Sequence, residues 1–360
     1  MNEINARTHI DVQESSKKIV RFPRLPPGKT FSTPVSQIKS QSVTWLWSHR
    51  IPRGKITILE GDPGQGKSLL TIEIAARVST GSGLPRGRAC SAGDVLILHA
   101  EDGAGDTIRP RLEAAGADLD RIHIMNMVAD KDGDKRLIKI PDDITIIMNE
   151  ILRHRAVLLI IDPLVAFLPS ECNSWKDQHV RRALAPLMAM AERTAISVTG
   201  IRHLNKTPGG KPLYRGGGSI AFIAAARSGL LLGPDPNDHR TRVLAGTKSN
   251  LGPLPRSLAF RIKKSDNGAP MIDWIGKTDV TAGDILNETE NKVGKATSYL
   301  RKLLKDGPMP SSKVKHRTKK AGISSRTLDR AKKQLRIKSV KQGFGDEGIW
   351  MWSLRKTSNQ

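Results

Sequence analysis

The stretch that most constrains this chain is GDPGQGKS, which runs from Gly61 to Ser68. It fills every position of the pattern G-x-x-x-x-G-K-[ST], follows the strand-like run KITILEG and opens the helical pattern SLLTIEIAARVS. Its glycines let successive backbone N–H groups turn toward an anion without a Cβ in the way, and the amino end of a helix adds partial positive charge. The stretch therefore predicts a phosphate-binding loop between a strand and a helix.

This loop predicts ATP and Mg²⁺ as ligands. Lys67 is expected to reach the β- and γ-phosphates and Ser68 to ligate Mg²⁺. The residues assigned to nucleotide binding are Gly61, Asp62, Pro63, Gly64, Gln65, Gly66, Lys67, Ser68 and Leu69.

Hydrolysis also needs a second metal ligand and a base for the attacking water. AVLLIIDPL puts Asp162 at the end of a buried strand, where it is predicted to bind Mg²⁺, and Pro163 follows it in place of a second acid. DVLILHAED puts Glu101 at the end of the strand after the loop helix, with Asp102 as the neighbouring alternative. Because the carboxyl ends of parallel strands line one crevice, Glu101 is predicted as the catalytic base.

Strand-like and helix-like segments alternate over residues 41–280, which predicts an α/β domain with a mostly parallel sheet covered on both faces. The later segments TRVLAG, LAFRIKK and MIDWIG predict a strand-rich extension of that sheet. Residues 1–40 are predicted to be a disordered basic arm, 281–291 a polar linker, and 292–360 a small separate unit.

The formal net charge of +24 predicts a polyanionic partner. It is concentrated in residues 291–360, where 19 Lys and Arg stand against 4 Asp and Glu. No apolar run approaches the roughly 18 residues of a membrane span, so no membrane partner is expected. Cys90 and Cys172, the only cysteines, are far apart, which favours a reducing cytoplasm.

Six stretches in order resemble the RecA-like ATPases, and more specifically the plasmid RepA-type hexameric DNA helicases with their phage and prophage relatives. They are WLWSHRIPRGKITILEGDPGQGKS, LILHAED, IIDPL, GIRHLNK, RGGGSIAFIAAARS and TKSNLGP. The resemblance implies a RecA-like P-loop core and a homo-oligomer, expected to be a hexameric ring. The plasmid helicases consist essentially of this core, whereas the phage and prophage relatives also resemble the chain in the C-terminal unit.

The same resemblance implies roles at the site. His203 is expected to sense the γ-phosphate, and Arg227 to act as an arginine finger in the neighbouring subunit. Lys248 is a second candidate for that trans position. The loop between His203 and Arg227 contains Lys206, Lys211 and Arg215 and is expected to face the central hole and contact single-stranded DNA, since cations and flexible glycines suit a sliding phosphate chain.

The C-terminal unit predicts a winged helix-turn-helix that binds double-stranded DNA. Two helical patterns precede GISSRTLDRAKKQL, and the strands IKSVKQ and IWMWSL follow it. In the third helix Leu328, Ala331 and Leu335 form a buried face. The opposite side carries the predicted DNA contacts, Arg326, Arg330 and Lys333.

Together these patterns predict a DNA-translocating ATPase with helicase activity in the replication of phage, prophage or plasmid DNA. Two alternatives stay open: a filament-forming RecA-like recombination or repair ATPase, and a DNA-binding regulator in which ATP only switches assembly.

Overall fold

The computed structural model describes residues 32–87, 91–130, 132–170, 172, 176–204, 221–236, 238–343 and 348–354. Most of the predicted arm therefore lies outside the described residues. Helices within the described ranges are α1 (Lys67–Thr80), α2 (Arg109–Ala114), α3 (Ile144–His154), α4 (Asp177–Thr194), α5 (Ala221–Ala225), α6 (Ala282–Leu303), α7 (Ser311–Lys320) and α8 (Ser325–Gln334). The strands there are β1 (Trp45–Trp47), β2 (Ile51–Pro52), β3 (Ile56–Gly61), β4 (Val95–His99), β5 (Ile122–Ile124), β6 (Met127–Ala129), β7 (Lys135–Leu137), β8 (Leu158–Asp162), β9 (Ser197–His203), β10 (Ser228–Pro234), β11 (Thr241–Ser249), β12 (Ser257–Lys264), β13 (Pro270–Thr278), β14 (Met309–Pro310), β15 (Lys338–Gln342) and β16 (Ile349–Ser353).

A large sheet organises the chain. Nine strands of the described region join it in the order β13-β12-β11-β10-β3-β9-β8-β4-β5. The neighbours from β10 to β5 pair in parallel, and those from β10 to β13 pair antiparallel. The prediction of a mostly parallel sheet with a strand-rich extension is confirmed, and the core is RecA-like.

The parallel strands are buried on both faces because their residues alternate between two cores. In β3, Ile56 and Ile58 join a core with residues of α3, α4 and α5. Leu59, on the opposite face of β3, joins a core with α1, α2 and Trp274 of β13. β4 and β8 alternate in the same way, which is why both read as continuous apolar runs in the sequence.

Residues 281–291, predicted to be a polar linker, are instead almost entirely helical. α6 begins at Ala282 because Thr281 and Asp284 form a reciprocal capping box. Ile285 and Leu286 then pack against Leu231 and Val243 of the large sheet. The prediction of a linker was wrong because it rested on polar composition, whereas a cap and one pair of apolar residues are enough to fix the helix here.

The C-terminal unit contains the elements predicted for it. The carboxyl-terminal part of α6 packs with α7 and α8 around Leu300, Val314, Leu328 and Trp352. The three-stranded sheet there has the order β14-β16-β15, of which the short β14 was not predicted. The assignment of this unit as a winged helix-turn-helix stays a prediction.

None of the helices in the described ranges is both long enough and apolar enough to cross a membrane.

Candidate functional site

The predicted catalytic residues come from neighbouring strands. β3, β9, β8 and β4 are adjacent and parallel, so their carboxyl ends share one edge of the sheet. The phosphate loop follows β3, His203 ends β9, Asp162 ends β8 and Glu101 follows β4. Residues that are up to 142 positions apart (203 minus 61) thereby meet in one crevice.

The phosphate loop has the backbone that its glycines predict. Gly64 and Gly66 have φ angles of 76° and 94°, a left-handed region that glycine enters at little cost. Gly66 is the N-cap of α1, so the free N–H groups of the first helical turn point into the crevice. The Lys67 ammonium donates hydrogen bonds to the carbonyl oxygens of Gly61 and Asp62, both at 2.9 Å. Burial lowers the pKa of Lys67, although Asp162 opposes that shift.

Gly61 is required by packing rather than by its φ angle. A Cβ built there lies 2.4 Å from the carbonyl oxygen of Leu232 in β10 and 3.4 Å from Cδ of Lys67. The absence of a side chain lets β10 approach the base of the loop.

Asp162 and Ser68, the two predicted Mg²⁺ ligands, lie in contact with each other. Burial raises the pKa of Asp162 to about 6, and a hydrogen bond with Ser68 partly offsets that increase. Nearby Asp102 and Glu101 raise the pKa further, so negative charge accumulates where a cation would be bound. Mg²⁺ prefers oxygen ligands, and the carboxylate and hydroxyl fit it.

Asp102 was predicted to point away from the site, but both Glu101 and Asp102 line the cavity, and they differ in their contacts. Asp102 Oδ2 accepts a hydrogen bond from Arg111 Nη1 at 2.9 Å, which holds this carboxylate toward α2. The side chain of Glu101 is 64% exposed, and its Oε2 lies 4.0 Å from His203 Nε2. Glu101 is therefore the acid with freedom to approach a bound nucleotide.

His203 lies between the acid and the lysine. Burial, and then the charge of Lys67, lower the pKa of His203, so its imidazole is neutral at neutral pH. Its Nδ1 is buried and makes no hydrogen bond with the described residues. Residues 205–220 are outside the described part of the chain.

A buried ion pair joins β3 and β9, two of the strands that end at the crevice. Arg202 Nη1 lies 3.2 Å from Glu60 Oε1, and both side chains are at most 6% exposed. Burial raises the pKa of Glu60 to about 7 in spite of Arg202. The Arg202 guanidinium also stacks over Phe222, 4.9 Å from the ring centre. Charged residues that directly precede Gly61 and His203 were not identified from the sequence, although a charge inside an apolar strand run is a usable signal.

His99 was also missed. Its side chain is buried, and it lines the same cavity as Glu101, Asp162 and Ser68. Its Nε2 lies 2.7 Å from Asn126 Nδ2, which donates the hydrogen bond. The register His99↔Asp162 between β4 and β8 puts it beside the predicted metal ligand.

Arg227 and Lys248 lie away from this crevice. The Arg227 N–H donates to the carbonyl of Ile56, the first residue of β3, so it is at the amino end of the strand whose carboxyl end carries the loop. Its side chain is exposed. The Lys248 ammonium donates to the carbonyls of Ile223 and Ala224 at 2.7 and 3.1 Å, where it caps α5.

The predicted DNA contacts divide into two groups. Lys206, Lys211 and Arg215 lie outside the described residues. In α8, Arg326 and Lys333 are exposed and Arg330 is half-buried, opposite buried Leu328 and Ala331. The cap of this helix is Ser324, whose hydroxyl accepts a hydrogen bond from the Thr327 N–H.

Comparison with known proteins gives one family. A search of the curated proteins found no match. The sequence pattern described as "AAA domain" matches residues 25–209, which are 185 of the 360 residues and include the phosphate loop, Glu101, Asp162 and His203. Together with the RecA-like sheet and the loop geometry, this match shows that the chain belongs to the AAA domain family and carries a P-loop ATPase domain.

Proposed function

We propose that this chain is an ATP-driven DNA translocase that works as a hexameric ring and separates DNA strands during phage, prophage or plasmid replication. The observation that carries the proposal is the convergence of Lys67, Ser68, Asp162, Glu101 and His203 at the carboxyl ends of four adjacent strands. Such a crevice can bind a triphosphate, hold a cation and supply a base.

Each residue has one chemical task in this proposal. Lys67, now bonded to loop carbonyls, exchanges these partners for oxygens of the β- and γ-phosphates. Glu101 accepts a proton from the attacking water as the oxygen–phosphorus bond forms and ADP leaves. Mg²⁺ held by Ser68 and Asp162 would neutralise phosphate charge, and His203 contacts the γ-phosphate through its Nε2.

The position of Arg227 supports action between subunits. Five steps along β3 separate Ile56 from Gly61, about 17 Å at the usual rise of a strand, which is farther than an arginine side chain reaches. Arg227 can therefore approach a γ-phosphate only in another copy of the chain. A head-to-tail contact of this kind closes into a ring or continues as a filament.

The C-terminal unit supplies a basic surface for double-stranded DNA. α7 exposes Lys313, Lys315, Arg317, Lys319 and Lys320, and Arg326 and Lys333 are exposed in α8. On the adjacent hairpin, the side chain of Trp350 is 51% exposed. This surface would anchor the motor to duplex, while Lys206, Lys211 and Arg215 would contact the translocating single strand.

The central test compares ATP turnover, with and without single-stranded DNA, and unwinding of forked duplexes. Wild-type chain should show DNA-stimulated turnover and unwinding. Glu101→Gln should still bind ATP but hydrolyse it at least about 10²-fold more slowly. Lys67→Ala should lose both ATP binding and ATP hydrolysis. Asp102→Asn is the matched control, because Asp102 is held by Arg111; equal losses in both acid variants would overturn the assignment of the base.

Subunit mixing tests the trans arginine. Arg227→Ala keeps its own phosphate loop, and Lys67→Ala keeps its own arginine, so neither alone should hydrolyse ATP efficiently. Mixed rings should recover turnover at interfaces that combine an intact loop with an intact arginine. Failure to recover any activity, with ring assembly intact, would remove Arg227 from the site.

The same measurements separate the alternatives. Filaments in place of rings would favour a recombination or repair ATPase. Full DNA-binding activity of Glu101→Gln, together with no unwinding by the wild type, would favour an ATP-switched regulator.

A further inference from the structure

Three metal-binding side chains meet at the β5 edge of the large sheet. Asp94 immediately precedes β4, His123 lies within β5, and His154 is the last residue of α3. One ligand atom from each lies within 4.8 Å of the others. Their side chains are 20–24% exposed, so the cluster is sheltered but within reach of an ion from solvent.

His123 is in contact with both of the other side chains. His123 Nε2 lies 2.9 Å from Asp94 Oδ2. The rings of His123 and His154 stack with centroids 3.7 Å apart and planes inclined by 24°. Arg121 Nη1 donates to the other oxygen of Asp94 at 3.0 Å, which fixes the carboxylate and leaves Oδ2 facing the imidazoles.

The surroundings favour positive charge at this point. Glu150, one helical turn before His154, has its Oε2 3.3 Å from His154 Nε2. His154 ends α3, where the unpaired carbonyls of a helix carry partial negative charge. Two carboxylates and a helix carboxyl end therefore surround two imidazoles, with Arg121 and Arg153 as opposing cations.

We propose that Asp94, His123 and His154 bind a Zn²⁺ ion, with water as the fourth ligand. Two imidazole nitrogens and one carboxylate oxygen suit zinc, whereas Mg²⁺ prefers oxygen alone. Zinc ligands at about 2.0–2.2 Å in a tetrahedron lie about 3.3 Å from one another. A metal lies in the plane of each imidazole that binds it, so the two rings would turn out of their stack to reach that spacing. His123 and His154 would exchange their contacts with Asp94 and Glu150 for the ion.

This site is separate from the nucleotide crevice and does not depend on the proposed function. The Val157 N–H donates to the carbonyl of Asp94 at 2.9 Å, and Val157 directly precedes β8. Asp162 ends β8, five residues or about 16 Å farther along. Bound zinc would join β4, β5 and α3, three segments separated by about 30 residues each in sequence (123 minus 94, 154 minus 123), and so fasten the edge strand to the core.

The test is titration of the untagged full-length chain with Co²⁺, a coloured substitute for zinc, followed by displacement with Zn²⁺. Mg²⁺ and ADP are present throughout so that the nucleotide crevice does not take up the probe. We expect one Co²⁺ per chain, with the strong visible absorption of tetrahedral cobalt, and release of the colour by Zn²⁺. Zn²⁺ should also raise the melting temperature.

His123→Gln and His154→Gln should each weaken binding at least about tenfold. His316→Gln, which changes an exposed histidine of α7, is the matched control and should bind as the wild type does. Melting in EDTA verifies that each variant folds. The proposal is overturned if folded wild-type chain gives no tetrahedral cobalt spectrum, or if both His123→Gln and His154→Gln retain it.

Discussion

Gly61→Ala tests whether the phosphate loop depends on the close approach of β10 to β3. The new methyl group would lie 2.4 Å from the Leu232 carbonyl oxygen. That oxygen belongs to the backbone of a strand hydrogen-bonded on both sides, so it cannot move aside as the end of a long side chain can. The two strands must separate locally.

The expected loss of stability in Gly61→Ala follows from the distances. Reaching even 3.0 Å from 2.4 Å requires a shift of about 0.6 Å. A radial gap of about 0.5–1 Å forfeits a quarter to a half of the dispersion energy of the contacts it opens, and overpacking a core costs about 1–3 kcal/mol. Because the methyl group is fixed to the backbone and meets a backbone oxygen, we expect the free energy of unfolding to fall by about 3 kcal/mol. This loss corresponds to a melting temperature lower by about 6–12 °C for a domain of this size.

The assay is thermal unfolding, together with equilibrium binding of a fluorescent ATP analogue. Gly105→Ala is the neutral control, because a Cβ there meets nothing within 4 Å. Gly64→Ala also has open space but a φ of +76°, so it should lose about 1 kcal/mol through backbone strain. If Gly61→Ala melts within about 1 °C of Gly105→Ala, the argument from strand packing is wrong.

Three further changes are predicted. Burial raises the pKa of Glu60 from 4.5 to about 7, so the contribution of Glu60 to stability is complete below pH 4.5 and is lost as pH rises through 7. Glu60→Gln should therefore remove up to about 3 kcal/mol of the change in unfolding free energy between pH 5 and 8. The same change with pH in the wild type and in Glu60→Gln, measured by urea denaturation, would contradict this. Thr281→Ala should lower the free energy of unfolding by about 1 kcal/mol because it removes the capping box of α6, whereas Thr281→Ser should retain it in urea titrations. Lys248→Met frees two carbonyls at the end of α5 and should lower stability by about 1 kcal/mol with ATP turnover per folded subunit unchanged; a tenfold loss of turnover at wild-type stability would instead assign Lys248 to the neighbouring site.

The central strands were predictable because each is a continuous apolar run that ends in a polar, chemically informative residue. KITILEG, DVLILHAE and AVLLIIDPL became β3, β4 and β8, and the loop, Glu101 and Asp162 followed from their ends. β10 was not predicted, since SGLLLGP has only three apolar residues between glycines. Its position beside β3 depends on parallel pairing with a distant segment, which no local pattern contains.

Contacts across the sheet could not be predicted from the sequence either. His99 was hidden in an apolar run, and its approach to Asp162 comes only from strand register. Asp94, His123 and His154 are separated by about 30 residues each, far from any metal-binding spacing. The helical start of α6 was concealed by polar composition, because two apolar residues and a cap sufficed to fix it.

The strand that carries the phosphate loop is made long before the strands that enclose it. β3 ends at residue 61, but its neighbours β9 and β10 begin at residues 197 and 228. At about 5–20 residues per second, a ribosome adds the intervening 167 residues (228 minus 61) in roughly 8–33 s. β3 has open edges on both sides until β9 is made and one open edge until β10 is made, and such edges invite pairing with other chains. A chain ended at residue 209, where the family match ends, would keep the edge toward β10 open permanently, so the segment beyond the match is needed to close the sheet around the nucleotide site.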